Sequence, residues 1–257
     1  MATCCGGRTL GRSSFAQYGE RALHITDPLQ ATARLEMHRH RERMIVRDVI
    51  DKLDLVPTDT LLDIGCGIGN LTIPLSFLVE RTVGVDHPDC VARLERRCPE
   101  VGTVAGNWLD LPMTEHFTKI LIYDVVHYLA GIVEVTAFID KALRLLEPRG
   151  AMLVGDIPSD DLRERFDNSK YGKQHNIEWN ETLNQVVPID RVNYSTAPGD
   201  VIERLQEKDP ELVTFNDANL MALMAAIRMA GYQAWLVPQV EWLPFAVQRE
   251  DLLVRRP

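Results

Sequence analysis

Apolar positions in the first part of the chain follow a helical spacing and then form a short continuous run. From residue 31 to residue 53 they recur at helical intervals, with the charged stretch RHRERMIVR on the opposite face. The apolar face of this predicted helix carries Leu35, Ile45, Val46, Val49 and Leu53. Pro57 follows as a stop, and the apolar run TLLDI at 60–64, ended by glycine, predicts a buried strand.

From residue 60 to residue 157 apolar runs alternate with amphipathic stretches. Further strands are predicted at 82–86, 102–106, 119–126 and 151–157, with helices at about 70–78, 89–97 and 132–146. Near the C-terminus, a helix is predicted at 217–231 and is followed by two antiparallel strands. Such alternation favours an α/β fold, a Rossmann-like doubly wound seven-stranded sheet that is mostly parallel with an antiparallel C-terminal hairpin strand.

Two segments fall outside this alternation. Residues 1–30 are rich in Gly, Ser and Arg at the start and then irregular, which predicts a flexible N-terminal arm or a cap. Residues 158–215 form a polar insertion after a strand, at the edge where lids and substrate walls usually lie, although a merely solvated excursion is the alternative. We therefore expect one domain over 31–257 with an inserted lid at about 158–215.

Composition limits the classes of partner. The 37 acidic residues exceed the 28 basic ones, giving a net charge of −9, which disfavours binding to nucleic acid. The five cysteines fall in no metal-ligand spacing, and no apolar run approaches the ~20 residues of a membrane span. The N-terminus lacks an apolar signal region. We expect a cytoplasmic protein with no metal, no membrane partner and a small-molecule substrate; a homodimer is compatible with the sequence.

The turn after the first strand, in LLDIGCGIGN at 61–70, has glycine at alternate positions. Gly65, Gly67 and Gly69 permit positive φ and close approach of a ligand to the backbone, in the turn where open α/β sheets usually anchor one. The dinucleotide fingerprint G-x-G-x-x-G would place its third glycine at position 70, where this chain has Asn70. A nicotinamide cofactor is therefore disfavoured.

The spacing D-x-G-x-G-x-G instead resembles the first motif of class I methyltransferases that use S-adenosylmethionine (AdoMet). The match is supported by GVD at 84–86, AGNWLDLP at 105–112 and YDVVHYL at 123–129, which follow in the family's order. The resemblance implies AdoMet as the cofactor and a catalytic domain of this class.

The resemblance also implies roles for individual residues. Asp63 would complement the cationic amino-acid end of AdoMet, and Asp86 would accept the ribose hydroxyls. Asn107 would pair with the adenine amino group beside Trp108, and Asp124 would lie next to the methionine moiety. The remaining predicted cofactor-binding residues are Gly65, Cys66, Gly67, Gly69 and His87.

Residues that could act on the acceptor occur in two places. Methyl transfer to a hydroxyl requires loss of its proton, and His127 and Tyr128 follow the fourth strand, where the acceptor would lie. Because adjacent residues of an extended segment face opposite ways, we expect only one to reach the pocket and favour His127. The alternative is a structural histidine, and some relatives have histidine at position 128, where this chain has tyrosine.

Tyr18 is the other candidate. If the N-terminal arm covers the pocket, its phenol would bond to His127, as a Tyr–His latch does in the phosphoethanolamine methyltransferases. An exposed tyrosine in a flexible arm is the alternative.

Several other polar residues have weaker assignments. The stretch RLEMHRHRERMIVR at 34–47 could hold an anionic group of the substrate, but a solvated helix face explains it equally well. His175, Asn176 and Trp179 could form a substrate wall in the lid. The carboxylates available for a metal centre are Asp124, Asp156 and Asp160, but we assign no metal.

We expect AdoMet-dependent methyl transfer to a small-molecule acceptor, with O-methylation of a sugar, glycan precursor or specialised metabolite favoured. The alternatives are N-methylation of a small amine, a nicotinamide-dependent oxidoreductase, and a protein that binds AdoMet without catalysis.

Overall fold

A computed structural model describes residues 14–34, 39–186 and 213–257 of the chain. Three parts of the sequence predictions lie outside the described residues: positions 1–13 of the arm, Leu35 of the first helix, and positions 187–212 of the lid.

Helices and strands alternate through most of the described chain. The helices are α1 (Ser14–His24), α2 (Pro28–Ala31), α3 (Arg39–Leu53), α4 (Thr72–Ser76), α5 (Pro88–Arg97), α6 (Ile132–Arg144), α7 (Asp160–Asn168), α8 (Lys170–Val186) and α9 (Asp217–Met229). The strands are β1 (Thr60–Ile64), β2 (Arg81–Asp86), β3 (Gly102–Ala105), β4 (Phe117–Tyr123), β5 (Leu146–Pro158), β6 (Gln233–Pro238) and β7 (Arg249–Arg255). Short 3₁₀ turns occupy 108–110, 126–128 and 246–248.

The strands form one seven-stranded sheet in the order β3-β2-β1-β4-β5-β7-β6. β1 to β5 pair in parallel, whereas β7 lies antiparallel between β5 and β6. The predicted fold class is confirmed. Strand order reverses between β1 and β4, and this switch point is where ligands bind in open α/β sheets.

The core lies on both faces of the sheet because the central strands are apolar on both sides. Leu62 of β1 packs into a cluster with Phe138 and Ile139 of α6. The preceding residue, Leu61, faces the opposite way and packs with Val49 of α3. Helices cover each face, as a parallel sheet requires.

Two of the differences between predicted and observed elements lie next to the candidate active site. The helix expected over 31–53 is interrupted, because α2 ends at Ala31 and α3 begins at Arg39, with Ala33 in the left-handed region (φ 58°) between them. The strand expected to run to residue 126 ends at Tyr123, because Asp124 also has a positive φ of 62°. The predicted division into an arm of 1–30 and a domain of 31–257 stays a prediction.

No helix in the described parts of the chain is both long and apolar enough to cross a lipid bilayer.

Candidate active site

A cavity of about 580 Å³ lies at the carboxyl ends of β1, β2 and β4. Its walls come from the glycine turn, the ends of these strands, α6 and the N-terminal helix α1. The predicted cofactor-binding residues that line it are Asp63, Gly65, Cys66, Gly67, Asp86, Asn107, Trp108 and Asp124. Gly69 and His87 are not part of its wall.

The glycine turn approaches the loop after β4 closely. Gly65 has φ 85°, and a Cβ there would lie 2.2 Å from Cγ2 of Val125. Gly67 has φ 53° and faces the cavity. Both positions therefore require glycine, and a larger residue at Gly65 would push the two loops apart. Gly69 instead packs beneath the turn, where a Cβ would lie 2.4 Å from Cδ1 of Leu94.

Asp86 at the end of β2 is fixed by two backbone donors. Its Oδ2 accepts a hydrogen bond from the Gly67 N–H (2.7 Å), and its Oδ1 accepts one from the His87 N–H (2.5 Å). Burial raises the pKa of this carboxyl group. His87 has a structural position instead: its Nδ1 accepts from the Asp89 N–H (3.2 Å) and caps α5.

Asp63 is a buried carboxyl group in the cavity wall. Its Oδ2 accepts a hydrogen bond from the Thr72 hydroxyl (2.6 Å). Burial, with a smaller effect from the charge of Asp86, raises the pKa of Asp63 to about 7. A cation bound beside it would lower that pKa and favour the carboxylate.

The segment after β3 supplies a polar group and an aromatic ring. The side-chain oxygen of Asn107 accepts from the Leu109 N–H (3.1 Å) and caps a 3₁₀ turn. The Trp108 indole N–H donates to the Phe138 carbonyl (3.1 Å), so its only donor is already used. What Trp108 offers the cavity is therefore apolar ring surface.

The N-terminal segment covers the cavity and is held by a side chain of α5 and one from the turn before α4. Phe15 and Tyr18 of α1 line the cavity. The Arg93 guanidinium donates to the Ala22, Ile25 and Thr26 carbonyls at 2.5–3.0 Å. The Asn70 amide donates to the Pro28 carbonyl (2.9 Å) and to the Thr32 hydroxyl (3.2 Å). The residue that departs from the dinucleotide fingerprint therefore anchors this cover.

A buried arginine in the cavity wall lies among three acids. Arg34 is 3.1 Å from Asp124, 3.2 Å from Asp156 and 3.5 Å from Glu42. Asp124 and Asp156 both have positive φ, 62° and 63°, at the ends of adjacent strands. Such strain in residues other than glycine is common at functional sites.

The two carboxyl groups next to Arg34 differ in acidity. Burial raises the pKa of Asp124, although Arg34 opposes the effect. Burial acts in the same direction on Asp156, but there Arg34 and Arg249 prevail and hold its pKa below the usual value. Asp156 is therefore the fixed anion, and Asp124, which lines the cavity, is the one that can exchange a proton near neutral pH.

Of the two neighbours His127 and Tyr128, the tyrosine lines the cavity. His127 is buried behind it, with Nε2 3.4 Å from Oδ1 of Asp124 and no partner for Nδ1 among the described residues. Burial, aided by Arg249, lowers the pKa of His127 to about 3, so its ring is neutral. The expected orientation of this pair is wrong because residues 126–128 form a 3₁₀ turn instead of an extended strand.

Tyr18 contacts the cavity-facing member of that pair. Its hydroxyl donates to the Tyr128 hydroxyl at 2.7 Å, and the two rings meet edge to face with centroids 5.3 Å apart. The expected bond from Tyr18 to His127 is therefore replaced by a Tyr–Tyr contact. The catalytic roles of these residues stay predictions.

Of the weaker candidates, Arg34, Glu42 and Asp124 line the large cavity, whereas the others named here do not. Arg39 pairs with Asp27, and Arg47 with Asp51, on the surface of α3. On α8 the His175 ring stacks on Trp179, and the Asn176 amide donates to Asp167 (2.9 Å). Asp160 pairs with Arg163. Within the described ranges, no group of three or more His, Cys, Asp or Glu is arranged to hold a metal ion.

The sequence analysis missed Arg249, and it named Arg34 only as the first residue of the charged stretch at 34–47, for which a solvated helix face was the alternative. Arg34 looks like any surface arginine in the sequence. Its burial depends on how the N-terminal segment crosses the strand ends, which no local pattern encodes.

Comparisons with known proteins place the chain among similar sequences and folds. Residues 62–154 match the family described as a methyltransferase domain, a span that runs from β1 to β5. Nodulation protein S of Bradyrhizobium diazoefficiens is 26% identical over 174 residues, which cover 65% of this chain and 79% of that protein.

Two solved structures share the fold. The N-methyltransferase NodS of Bradyrhizobium japonicum WM9, in complex with S-adenosylhomocysteine, has a TM-score of 0.58 and 15% identity; the similarity covers 96% of this chain and 100% of that one. Phosphoethanolamine N-methyltransferase 1 of Haemonchus contortus, in complex with phosphoethanolamine and S-adenosylhomocysteine, has a TM-score of 0.65 and 15% identity. There the similarity covers 94% of this chain and 48% of the other.

Proposed function

We propose that the chain is a class I AdoMet-dependent methyltransferase that methylates a small molecule at oxygen, such as a sugar, glycan precursor or specialised metabolite. The observation that carries the proposal is the position of Asp124. Its carboxyl group lines the cavity beside the glycine turn. The Arg34 guanidinium lies 3.1 Å from this carboxyl group, and Nε2 of His127 lies 3.4 Å from it.

The residues of the cavity fit AdoMet. We assign the ribose hydroxyls to Asp86, whose two oxygens are already oriented by the Gly67 and His87 N–H groups. Asp63 would face the ammonium group, which explains a buried carboxyl group whose pKa is raised to about 7 when no cation is beside it. Asn107 and the face of Trp108 are left for the adenine.

AdoMet supplies a methyl group that is activated by its attachment to a sulfonium. The residues of the chain have to align the acceptor, exclude water and receive a proton. Asp124 would accept the proton that the acceptor hydroxyl loses on methylation. His127, neutral and 3.4 Å away, would donate a hydrogen bond to the same carboxylate and orient it. Tyr18 and Tyr128 would close the cavity above the reacting atoms.

N-methylation of a small amine is the second candidate. It is favoured by the acidic residues of the cavity wall, Asp124, Glu42 and Glu134, which would attract an ammonium group. The two solved structures of the same fold described above are also N-methyltransferases. In this case Asp124 would bind the ammonium form and take its proton before transfer.

Incubation with AdoMet carrying a CD₃ group would distinguish the candidates. A panel of sugars, glycan precursors, phenols and amines is analysed by mass spectrometry for transfer of the label, and the labelled atom is then located by NMR. A CD₃ group on an oxygen atom supports O-methylation, and a CD₃ group on a nitrogen atom supports N-methylation instead.

The role of Asp124 is tested by Asp124→Asn, which keeps the shape of the side chain and tolerates positive φ. We expect a rate at saturating AdoMet that is lower by about 10²–10⁴-fold, the usual contribution of a general base. Asp140→Asn, at an exposed position of α6, is the matched control. An Asp124→Asn enzyme as fast as wild type would remove Asp124 from the reaction.

A further inference from the structure

A second, smaller pocket of about 100 Å³ adjoins the large cavity. Thr32, Arg34, Asp124 and Tyr128 belong to the walls of both. Phe245 and Arg249, from the C-terminal part of the chain, line the small pocket alone. The two pockets therefore adjoin at Asp124 and Tyr128.

Arg249, at the start of β7, uses few of its N–H donors in hydrogen bonds to the described residues. Its Nη1 donates to the Asp156 carbonyl (2.9 Å), and its Nε lies 3.9 Å from the Asp156 carboxylate, beyond hydrogen-bond distance. A guanidinium has five N–H donors, so most of those of Arg249 are uncommitted, although its side chain is only 19% exposed. Partly buried donors without partners favour a ligand that accepts hydrogen bonds.

The two arginines of this pocket also differ in how many carboxyl groups lie close to them. Arg34 has three carboxyl groups within 3.5 Å, so its charge is well compensated. Among the described residues, Arg249 has one carboxylate within 4 Å, that of Asp156, which it shares with Arg34. A planar guanidinium with a free edge matches a carboxylate or phosphate group, which it can bind through two parallel hydrogen bonds.

Aromatic side chains surround this guanidinium. The Phe245 ring centroid is 5.8 Å from Cζ of Arg249, and the Trp179 ring of α8 meets Phe245 at 6.3 Å. These rings supply apolar surface next to the charged group. Helix α8 of the inserted segment therefore contributes to this side of the molecule, even though it does not line the large cavity.

We propose that the small pocket anchors an oxyanion, a carboxylate or a phosphate, carried by the methyl acceptor, with Arg249 as its ligand. The inference rests on the proposed function, because it assigns this pocket to the acceptor and the large cavity to AdoMet. A pocket of this volume holds such a group but not a whole sugar. An acceptor anchored there has its body at the junction with the large cavity, where its nucleophilic group meets Asp124.

The test uses the full chain saturated with S-adenosylhomocysteine, with inorganic phosphate, acetate and neutral acetamide as probes titrated by NMR. Arg249→Gln removes the positive charge, whereas Arg249→Lys keeps the charge but lacks the two parallel N–H donors of a guanidinium. Arg255→Gln, at an exposed position of the same strand, is the control. We expect phosphate or acetate to bind wild type and the Arg255 variant equally and Arg249→Gln at least about tenfold more weakly. Arg249→Lys should be intermediate, and acetamide should bind least.

The relative affinity of the two anions identifies the source of the oxyanion. Tighter binding of phosphate indicates a phosphorylated acceptor, and tighter binding of acetate indicates a carboxylic acid. Equal anion affinities in wild type and Arg249→Gln would overturn the inference, as would preferential binding of acetamide. Binding of S-adenosylhomocysteine is measured before each anion titration. If wild type did not bind S-adenosylhomocysteine, the cofactor assignment would be contradicted, whereas the oxyanion pocket is tested only by the anions.

Discussion

At the scale of single residues, Arg34 is the side chain on which the charge balance of the site depends. It lies within 3.5 Å of Asp124, Asp156 and Glu42, and its side chain is 10% exposed. A buried ion pair contributes little net stability, because burial of both charges costs nearly as much as their attraction gains. Removal of the cation alone, however, leaves buried negative charges that neither water nor another group compensates. The consequence is a strong and specific sensitivity to substitution.

Arg34→Met should therefore lower the free energy of unfolding by about 3–5 kcal/mol, the usual cost of breaking a buried ion pair on one side. Urea unfolding followed by circular dichroism measures the change. The double variant Arg34→Met/Asp124→Asn should recover part of the loss, since it removes one of the uncompensated acids. Arg47→Met, at a 76% exposed position of α3, is the control. Equal effects at positions 34 and 47 would contradict the account.

Asp63 gives the unliganded protein a characteristic pH dependence. Its pKa rises from 3.8 to about 7 on folding, so the native state binds more protons than the unfolded state between these values. Stability contributed by this residue therefore falls as the pH rises through that window. Between pH 6 and pH 8 the wild type should lose about 1 kcal/mol more than Asp63→Asn in urea unfolding. Parallel pH profiles for the two proteins would show that Asp63 does not titrate in this range.

The cavity-lining residues that we assign to the cofactor could be named from the sequence, but most of those that we assign to the acceptor could not. Asp63 and Asp86 stand at fixed distances from a glycine turn, and local chain geometry brings them to the same cavity. Arg34 and Arg249 reach Asp156 from opposite ends of the chain, which is a property of the tertiary fold. His127 was misplaced because the positive φ of Asp124 replaces the end of the strand by a turn.

At the scale of elements, α1 acts as a cover that is tied down at its C-terminal end. Arg93 of α5 donates to the Ala22, Ile25 and Thr26 carbonyls, groups that a helix end leaves without intrahelical partners. The close fit of Gly19 to the His87 ring, where a Cβ would lie 2.3 Å away, adds a second contact. Closure of the cavity therefore depends on α5 as much as on α1 itself.

Arg93→Met should loosen this cover without unfolding the domain. We expect faster amide hydrogen exchange in residues 14–34 and weaker binding of S-adenosylhomocysteine, with unchanged exchange in β1 and β4. Arg96→Met, at an exposed position of the same helix, is the control. Unaltered exchange in α1 of the Arg93 variant would show that its three hydrogen bonds do not hold the cover.

Periodicity predicted most elements because the strands are short apolar runs between amphipathic helices. β1 was predicted with its observed bounds, 60–64, since glycine and polar residues flank it. The break between α2 and α3 was missed because helical spacing of apolar residues continues across it. Ala33, between the two helices, has a left-handed conformation that the sequence does not signal.

At the scale of the whole molecule, the residues assigned to the cofactor and those assigned to the acceptor lie at the ends of different strands of the sheet. The turns after β1, β2 and β3 carry the residues assigned to AdoMet, on one side of the switch point. The ends of β4, β5 and β7 carry Asp124, Asp156 and Arg249, which we assign to the acceptor. Transfer between the two sides would then take place at Asp124, where the two pockets adjoin.

Calorimetric titration with AdoMet, S-adenosylhomocysteine and NAD tests the central claim most directly. The account predicts that the first two bind with one site per chain and that NAD does not bind. Asp86→Ala should weaken both by at least about tenfold, because a charge-assisted hydrogen-bond acceptor is lost. Binding of NAD without binding of AdoMet, or an Asp86→Ala protein with unchanged affinity, would contradict the assignment of this cavity.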